Sequence, residues 1–305
     1  MADLINELVW SHSRSRTFAA CPRAYWYTYY GSWGGWSRDV PAPIRDAYVQ
    51  KKLTTRAMWI GTVVHGAAEE GIRRIVGQRP LDLEAAVRTT LTRARNDIEG
   101  SRTGDWLQRA AKRTGFREHY YGEPVDPSAW EAAIAEIERQ VRGLYENRIF
   151  RRIGQVPGRV MEVEELRRFR VGSTEVYAAL DVLMADGNGG VVIIDWKTGE
   201  AHSNDEIAAQ LGVYGIYATQ ELGVPTDRVK AMHVNLRHAV ETTHAVGPAA
   251  IEAAREEIEA GVTQMREKLR DVPGNVAERE DYPMVPEGDS RCRWCSFRRS
   301  CARET

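Results

Sequence analysis

The chain has 305 residues, 43% of them apolar, and sets 42 Lys+Arg against 43 Asp+Glu. That length makes one large domain or two coupled ones, with room for a real core. No apolar stretch approaches the roughly 18 to 20 residues of a membrane span, and a formal net charge of −1 offers nucleic acid no overall attraction while leaving room for a local basic groove.

The segment MADLINELVWSHSRSR lacks the basic and then apolar regions of a secretory signal, so the cytoplasm is the expected compartment. Structural disulfides are unusual there, and the four cysteines must be buried thiols, reactive groups or metal ligands. No self-similar period of roughly 20 to 50 residues appears, which sets aside solenoids and propellers. Residues 12 to 30, with Phe18, Tyr25, Trp26 and Tyr29, predict an amphipathic helical segment that ends in Gly-Ser-Trp-Gly-Gly-Trp at 31 to 36. A long helix is expected over about 46 to 75, carrying Met58, Ile60, Val63, Val64, Ile72 and Ile75, and two more over about 83 to 98 and 128 to 150.

After Pro157 the pattern changes. Residues 159 to 171, 174 to 185 and 191 to 196 read as strands, the last two joined by the hairpin signal Asp-Gly-Asn-Gly-Gly. A helix over about 203 to 222, strands near 228 to 236 and 240 to 246, and a helix over 248 to 270 follow. Together these elements predict a mixed α/β core behind a large helical insertion. The tail from 271 carries scattered prolines and ends in a basic, Cys-rich segment.

Asp195 and Lys197 close the strand Val-Val-Ile-Ile-Asp-Trp-Lys, and the strand period of two points both to one face. Asp181 lies on the partner strand among Leu180, Val182 and Leu183, where a charge is costly without a partner or a metal. Two converging carboxylates suit a hard cation such as Mg²⁺, and a nearby lysine can orient attacking water and offset charge developing on a phosphate. Alone, an Asp-x-Lys is more often a surface ion pair. His65, in Gly61-Thr-Val-Val-His, would alone be a satisfied core residue, and Gln210-Leu-Gly-Val-Tyr214 alone a solvated helix edge.

In this order, Gly-x-x-x-His, Asp, Asp-x-Lys-Thr-Gly and Gln-x-x-x-Tyr resemble the PD-(D/E)XK nuclease superfamily, in its RecB-like exonuclease branch. The likeness spans about residues 58 to 246 and implies a restriction-endonuclease-like core, a mixed central sheet flanked by helices. It implies that His65, Asp181, Asp195 and the backbone carbonyl of Trp196 bind Mg²⁺ or Mn²⁺. By the same likeness Lys197 is the catalytic lysine, and Gln210 with Tyr214 steadies the site and contacts DNA. The literal Pro-Asp of the superfamily name is absent, since Leu180 precedes Asp181.

Cys292, Cys295 and Cys301 form C-x2-C-x5-C, and Cys21 lies far upstream in Ala-Cys-Pro-Arg-Ala-Tyr. One remote and three local thiolates can complete a four-cysteine site, for which spacing alone leaves zinc and an iron–sulfur cluster both open. The Ser11, Ser13 and Arg16-to-Cys21 context, joined to the C-terminal trio, resembles the iron-staple nucleases, among them the AddB nuclease domain and the CRISPR-adaptation exonucleases of the fourth Cas family. That resemblance implies a [4Fe–4S] cluster pinning the chain ends together. It divides the chain into an N-terminal staple segment (1–45), a helical region with the histidine (46–157), a nuclease core (158–272) and a C-terminal Cys-rich segment (273–305).

Arg14, Arg16 and Arg23 at one end and Arg291, Arg293, Arg298 and Arg299 at the other would then build a positive patch beside Trp26, Tyr29, Trp33, Trp36 and Trp294. Such a mixture suits single-stranded DNA, although the same aromatics serve equally as core. Without G-x-x-x-x-G-K-[ST] the chain carries no P-loop to drive unwinding. The expected activity is metal-dependent exonuclease action on single-stranded DNA ends, alone or on ends opened by a separate helicase or presented to a CRISPR integrase. A different class is an iron–sulfur DNA-end-binding adaptor with no catalysis of its own.

Overall fold

The computed structural model describes residues 5–37, 39–200 and 204–303. Ser11 caps α1 (His12–Ala20), its hydroxyl accepting from the Arg14 N–H. The extended backbone of Cys21 ends that helix, and its sulfur accepts from the Ala24 N–H to open α2 (Pro22–Trp26), with proline at the first position. A π-helical turn, Tyr27–Gly31, completes the aromatic segment. The helical stretch expected over 12 to 30 is thus broken at the cysteine.

Next come α3 (Ala42–Lys51), β1 (Leu53–Thr54), α4 (Arg56–Val76), α5 (Leu83–Arg102), β2 (Gly115–Phe116), α6 (Arg117–Tyr120), α7 (Pro127–Glu146) and α8 (Arg148–Gln155). The one long helix expected over 46 to 75 is two. Leu53 and Thr54 leave the helix to pair in parallel with Gly115 and Phe116, and the Thr55 hydroxyl restarts it by accepting from the Met58 N–H. The helix expected over 128 to 150 divides in the same way, because Asn147 turns extended and its side chain accepts from Ile149 and Phe150. Hydrophobic period cannot report such breaks, since both halves keep the same apolar spacing.

The second half follows expectation closely: β3 (Val160–Val171), β4 (Thr174–Ala185), β5 (Val191–Lys197), α9 (Asn204–Gln220), β6 (Val229–Asn235), β7 (Val240–Ala245), α10 (Pro248–Arg266) and a short α11 (Ser290–Arg293). The expected start of α9 at 203 lies outside the described residues. The strands form one sheet in the order β3-β4-β5-β6-β7, antiparallel except for the parallel β5–β6 pair, which α9 connects as a crossover.

Apolar cores cover both faces of this sheet. On β5, Val191 and Ile193 join the cluster built with α9, α10, Tyr25 and Tyr282, while Val192, Ile194 and Trp196 join the cluster built with α4, α5, α7 and α8. The alternation is the strand period made visible. No helix among the described residues is long and apolar enough to cross a membrane.

Helix α9 must lie close against α10, because Gly212 leaves no room for a side chain. A Cβ there would stand 2.4 Å from the Ala250 carbonyl oxygen and 2.6 Å from the Ala254 Cβ. Gly212→Val should therefore destabilise the protein by about 1–3 kcal/mol or more, read as a lower denaturant midpoint. An unchanged midpoint would mean that the two helices separate freely.

Candidate active site

Registered pairing between β4 and β5 ends at Val182↔Ile194, one step short of Asp181 and Asp195. Beyond it, side chains take over backbone groups of both strands. The Trp196 N–H donates to Asp181 Oδ2 at 2.7 Å, and the Tyr214 hydroxyl donates to the Ala179 carbonyl at 3.0 Å. Asp181 lies near enough for its charge to act on Asp195.

Asp195 is 3% exposed, and its two oxygens face different partners. Oδ2 lies 2.7 Å from the Lys197 ammonium, while Oδ1 accepts from Gln210 Nε2 at 2.9 Å and lies 3.3 Å from the Tyr214 hydroxyl. Gln210 also accepts from Lys197 Nζ at 3.1 Å, so one side chain positions both the acid and the amine. Their spacing on one helical turn lets Gln210 and Tyr214 reach the same carboxylate.

His65 arrives from α4. Its Nδ1 lies 3.5 Å from Asp181 Oδ2 and 3.4 Å from Glu164 Oε1. Gly61, one turn earlier, allows that approach, for a Cβ there would stand 2.9 Å from the Thr198 hydroxyl. The fully buried Gln140 on α7 donates to the Thr198 carbonyl at 3.1 Å, fixing the chain just after Lys197. The helical region therefore braces the end of β5 as well as carrying the histidine.

Burial disfavours charge on His65, but the hydrogen bonds to Asp181 and Glu164 outweigh it and hold the imidazole up at about 10. Burial, and then the Asp181 charge, push the Asp195 carboxyl above the usual carboxylate range despite Lys197. Burial and the neighbouring Asp195 carry the Tyr214 phenol well above its ordinary value. The centre thus holds more negative charge than Lys197 balances, the condition that a divalent cation relieves.

Glu164 is the residue that sequence reasoning missed. Among the described residues, the donor atoms of His65, Glu164 and Asp181 form a group within 4.8 Å of one another. In the run Glu162-Val-Glu-Glu165, alternation does not say which acid turns inward. The backbone decides it: Glu164 sits at φ 50°, left-handed for a strand residue and strained. His233 was missed too; it pairs with Asp195 across β5 and β6, with Nε2 3.8 Å from Asp195 Oδ2. One imidazole and two or three carboxylates fit a hard or borderline divalent ion such as Mg²⁺ or Mn²⁺.

On the far side of Gln210 and Tyr214, a cavity of about 360 Å³ is bordered by Ser11, Ser13, Arg14 and Tyr29. Arg14 stacks 4.2 Å over the Tyr29 ring. Arg16 is exposed on α1, and Arg23 spends its Nε on the Tyr282 carbonyl at 2.7 Å. Trp33 packs edge-on against Trp36, which is 43% exposed.

The chain ends meet. Arg291 donates to the Ala20 carbonyl at 2.6 Å, Tyr27 to the Ser300 carbonyl at 2.6 Å, and Tyr27 stacks on Phe297. Cys21, Cys292, Cys295 and Cys301 all line one cavity of about 210 Å³, whose rim carries Arg291, Arg298 and Arg303. None is in a disulfide. Burial pushes the Cys295 thiol up, and burial with the nearby Cys295 pushes Cys301 to about 11.

A family model described as the PD-(D/E)XK nuclease superfamily matches residues 9–302. The chain belongs to that superfamily, whose members are metal-dependent nucleases. Among solved structures it is similar to a presumed exonuclease from Eubacterium rectale, with 12% identity and a TM-score of 0.48 over 94% of this chain and 87% of that one. It is also similar to the protein SSO0001, with 14% identity and a TM-score of 0.31 over 81% of this chain and 98% of that one. At such scores these likenesses carry no inference about activity. No curated protein matches the chain.

If the His65–Glu164–Asp181 group takes a divalent ion, Mn²⁺ at a hundred times its dissociation constant should stabilise the fold by about 2.7 kcal/mol. The thermal midpoint should rise by several degrees in the wild type and much less in Asp181→Ala and Glu164→Gln. An equal rise in all three proteins would place the ion elsewhere.

Proposed function

We propose that this chain is a DNA exonuclease of the RecB-like, iron-staple branch, hydrolysing phosphodiester bonds from single-stranded ends, with a structural [4Fe–4S] cluster. The observation that carries the reading is the convergence of His65, Glu164 and Asp181 beside an Asp195–Lys197 pair that Gln210 holds in place.

His65, Glu164, Asp181, Asp195 and the Trp196 carbonyl would hold Mg²⁺ or Mn²⁺. When bound, the ion supplies Lewis acidity and offsets charge on the phosphodiester. Lys197 presents its ammonium to the nucleophile and to the charge that develops on the phosphate, and Gln210 fixes its direction. Asp181 is oriented by the Trp196 N–H, and Tyr214 stays neutral and donates hydrogen bonds. Arg14, in the cavity bordering Gln210 and Tyr214, is placed to contact the DNA backbone. Arg16, exposed on the same helix, would extend that contact, and Arg23 supports it by holding the chain ends together.

Four thiols around one cavity, with arginines at its rim, support a four-cysteine centre. Four thiolates suit zinc and an iron–sulfur cluster alike, and the resemblance to the iron-staple nucleases is what favours the cluster.

Asp195→Ala and Lys197→Ala should each lower Mn²⁺-dependent degradation of an end-labelled single strand at least about a hundredfold, with oligonucleotide affinity retained. Full activity in Asp195→Ala would overturn the mechanism, and no degradation by the wild type, prepared without oxygen, would favour a binding adaptor. The purified protein should be brown and lose its visible absorbance in Cys21→Ala. A colourless protein containing zinc would refute the cluster.

A further inference from the structure

Away from the catalytic centre, a cavity of about 540 Å³ opens between the helical region and the Cys-rich segment, lined by Arg56, Arg117, Tyr121, Arg293, Trp294 and Arg298. Glu118 and Glu123 are its acids, so four guanidinium groups face two carboxylates. Ion pairs of 3.5 Å from Arg56 to Glu118 and 2.6 Å from Arg298 to Glu123 account for part of this charge. Two positive charges remain in excess.

Arg117 is the unusual member. It is 2% exposed, and although its terminal nitrogens reach the Trp294 carbonyl and Glu123, its Nε has no hydrogen-bond partner among the described residues. A buried guanidinium donor left unmatched costs stability unless a ligand or water completes it. Beside it, Trp294 is 58% exposed, with Arg117 4.7 Å and Arg293 5.2 Å from the ring centroid, while Arg298 stacks 3.8 Å over Tyr121. Excess guanidinium charge combined with an exposed indole matches a phosphate joined to a flat base.

We propose that this cavity binds one nucleotide unit of single-stranded DNA, its phosphate against Arg56, Arg293 and the buried Arg117 and its base on Trp294. The proposal rests on the nuclease reading and adds a second anchoring point to it. Arg56 opens α4, and His65 lies nine residues along the same helix, about 13 Å at 1.5 Å per residue. A strand whose end is at the metal centre can therefore reach the cavity within a few nucleotides. Trp294 also sits between Cys292 and Cys295, and Arg298 lines both this cavity and the cysteine cavity. The anchor is thus built on the segment that joins the chain ends.

The test is fluorescence anisotropy of a labelled oligothymidylate, with Ca²⁺ replacing the activating metal, against the wild type, Trp294→Ala, Trp294→Phe and Arg293→Glu. Trp294→Ala should weaken binding about tenfold, the loss of one stacked base, and Trp294→Phe should restore most of it. Arg293→Glu should weaken binding and lower the slope of log affinity against log salt by about one. Thermal midpoints equal to the wild type would exclude misfolding as the cause. Variants that bind as the wild type does, while the wild type binds and degrades the strand, overturn the cavity and leave the nuclease reading standing. A wild type that binds no oligonucleotide overturns both, and preferential capture of polyglutamate overturns the choice of nucleic acid.

Discussion

Everything at the centre of this protein follows from one buried carboxylate. Asp195 stands at the end of an apolar strand with 3% of its surface exposed, and a charge in that place must be compensated. Lys197 compensates it on one oxygen, and Gln210 and Tyr214 attend the other. Asp181, on the neighbouring strand, adds a second negative charge that these partners do not absorb. The surplus makes the site receptive to a cation, and hydrogen bonds to Asp181 and Glu164 raise the His65 imidazole above its ordinary value.

The helical half of the chain braces the end of β5. Gly61 brings α4 against Thr198, Gln140 holds the Thr198 carbonyl, and Trp196 buries its ring in the core formed with α4, α7 and α8. Removing this layer would expose Trp196 and free the strand end that aims Lys197. On the opposite face, α9 delivers Gln210 and Tyr214 while its glycine contact with α10 fixes how deep they sit. The geometry of the Asp195–Lys197 pair and its Gln210 and Tyr214 partners is thus set by two cores on opposite sides of one sheet.

The joined chain ends form a second organised region. Hydrogen bonds and ring stacking bring residues more than 250 positions apart into contact, from Arg23 to Tyr282 and from Tyr27 to Ser300 and Phe297. The four thiols face one cavity inside that junction. A centre placed there would tie the N-terminal helices to the tail, consistent with Cys21 serving also as the cap between α1 and α2.

Much of this was legible in the residues. The period of two in Val191–Lys197 and the glycine-rich turn before it specify strands and hairpin, because local spacing determines which side chains share a face, and the order of His65, Asp181, Asp195-x-Lys197 and Gln210-x-x-x-Tyr214 carries the resemblance to the superfamily. The breaks at Thr55 and Asn147 escaped, since capping overrides a hydrophobic period that continues across both. Glu164 and His233 escaped for a different reason. One turns inward through a left-handed backbone, and the other meets Asp195 only because β6 lies parallel to β5. The sequence determined the kinds of groups and their order, while tertiary structure decided which acids converge, because convergence depends on where strand pairing ends and helices press together.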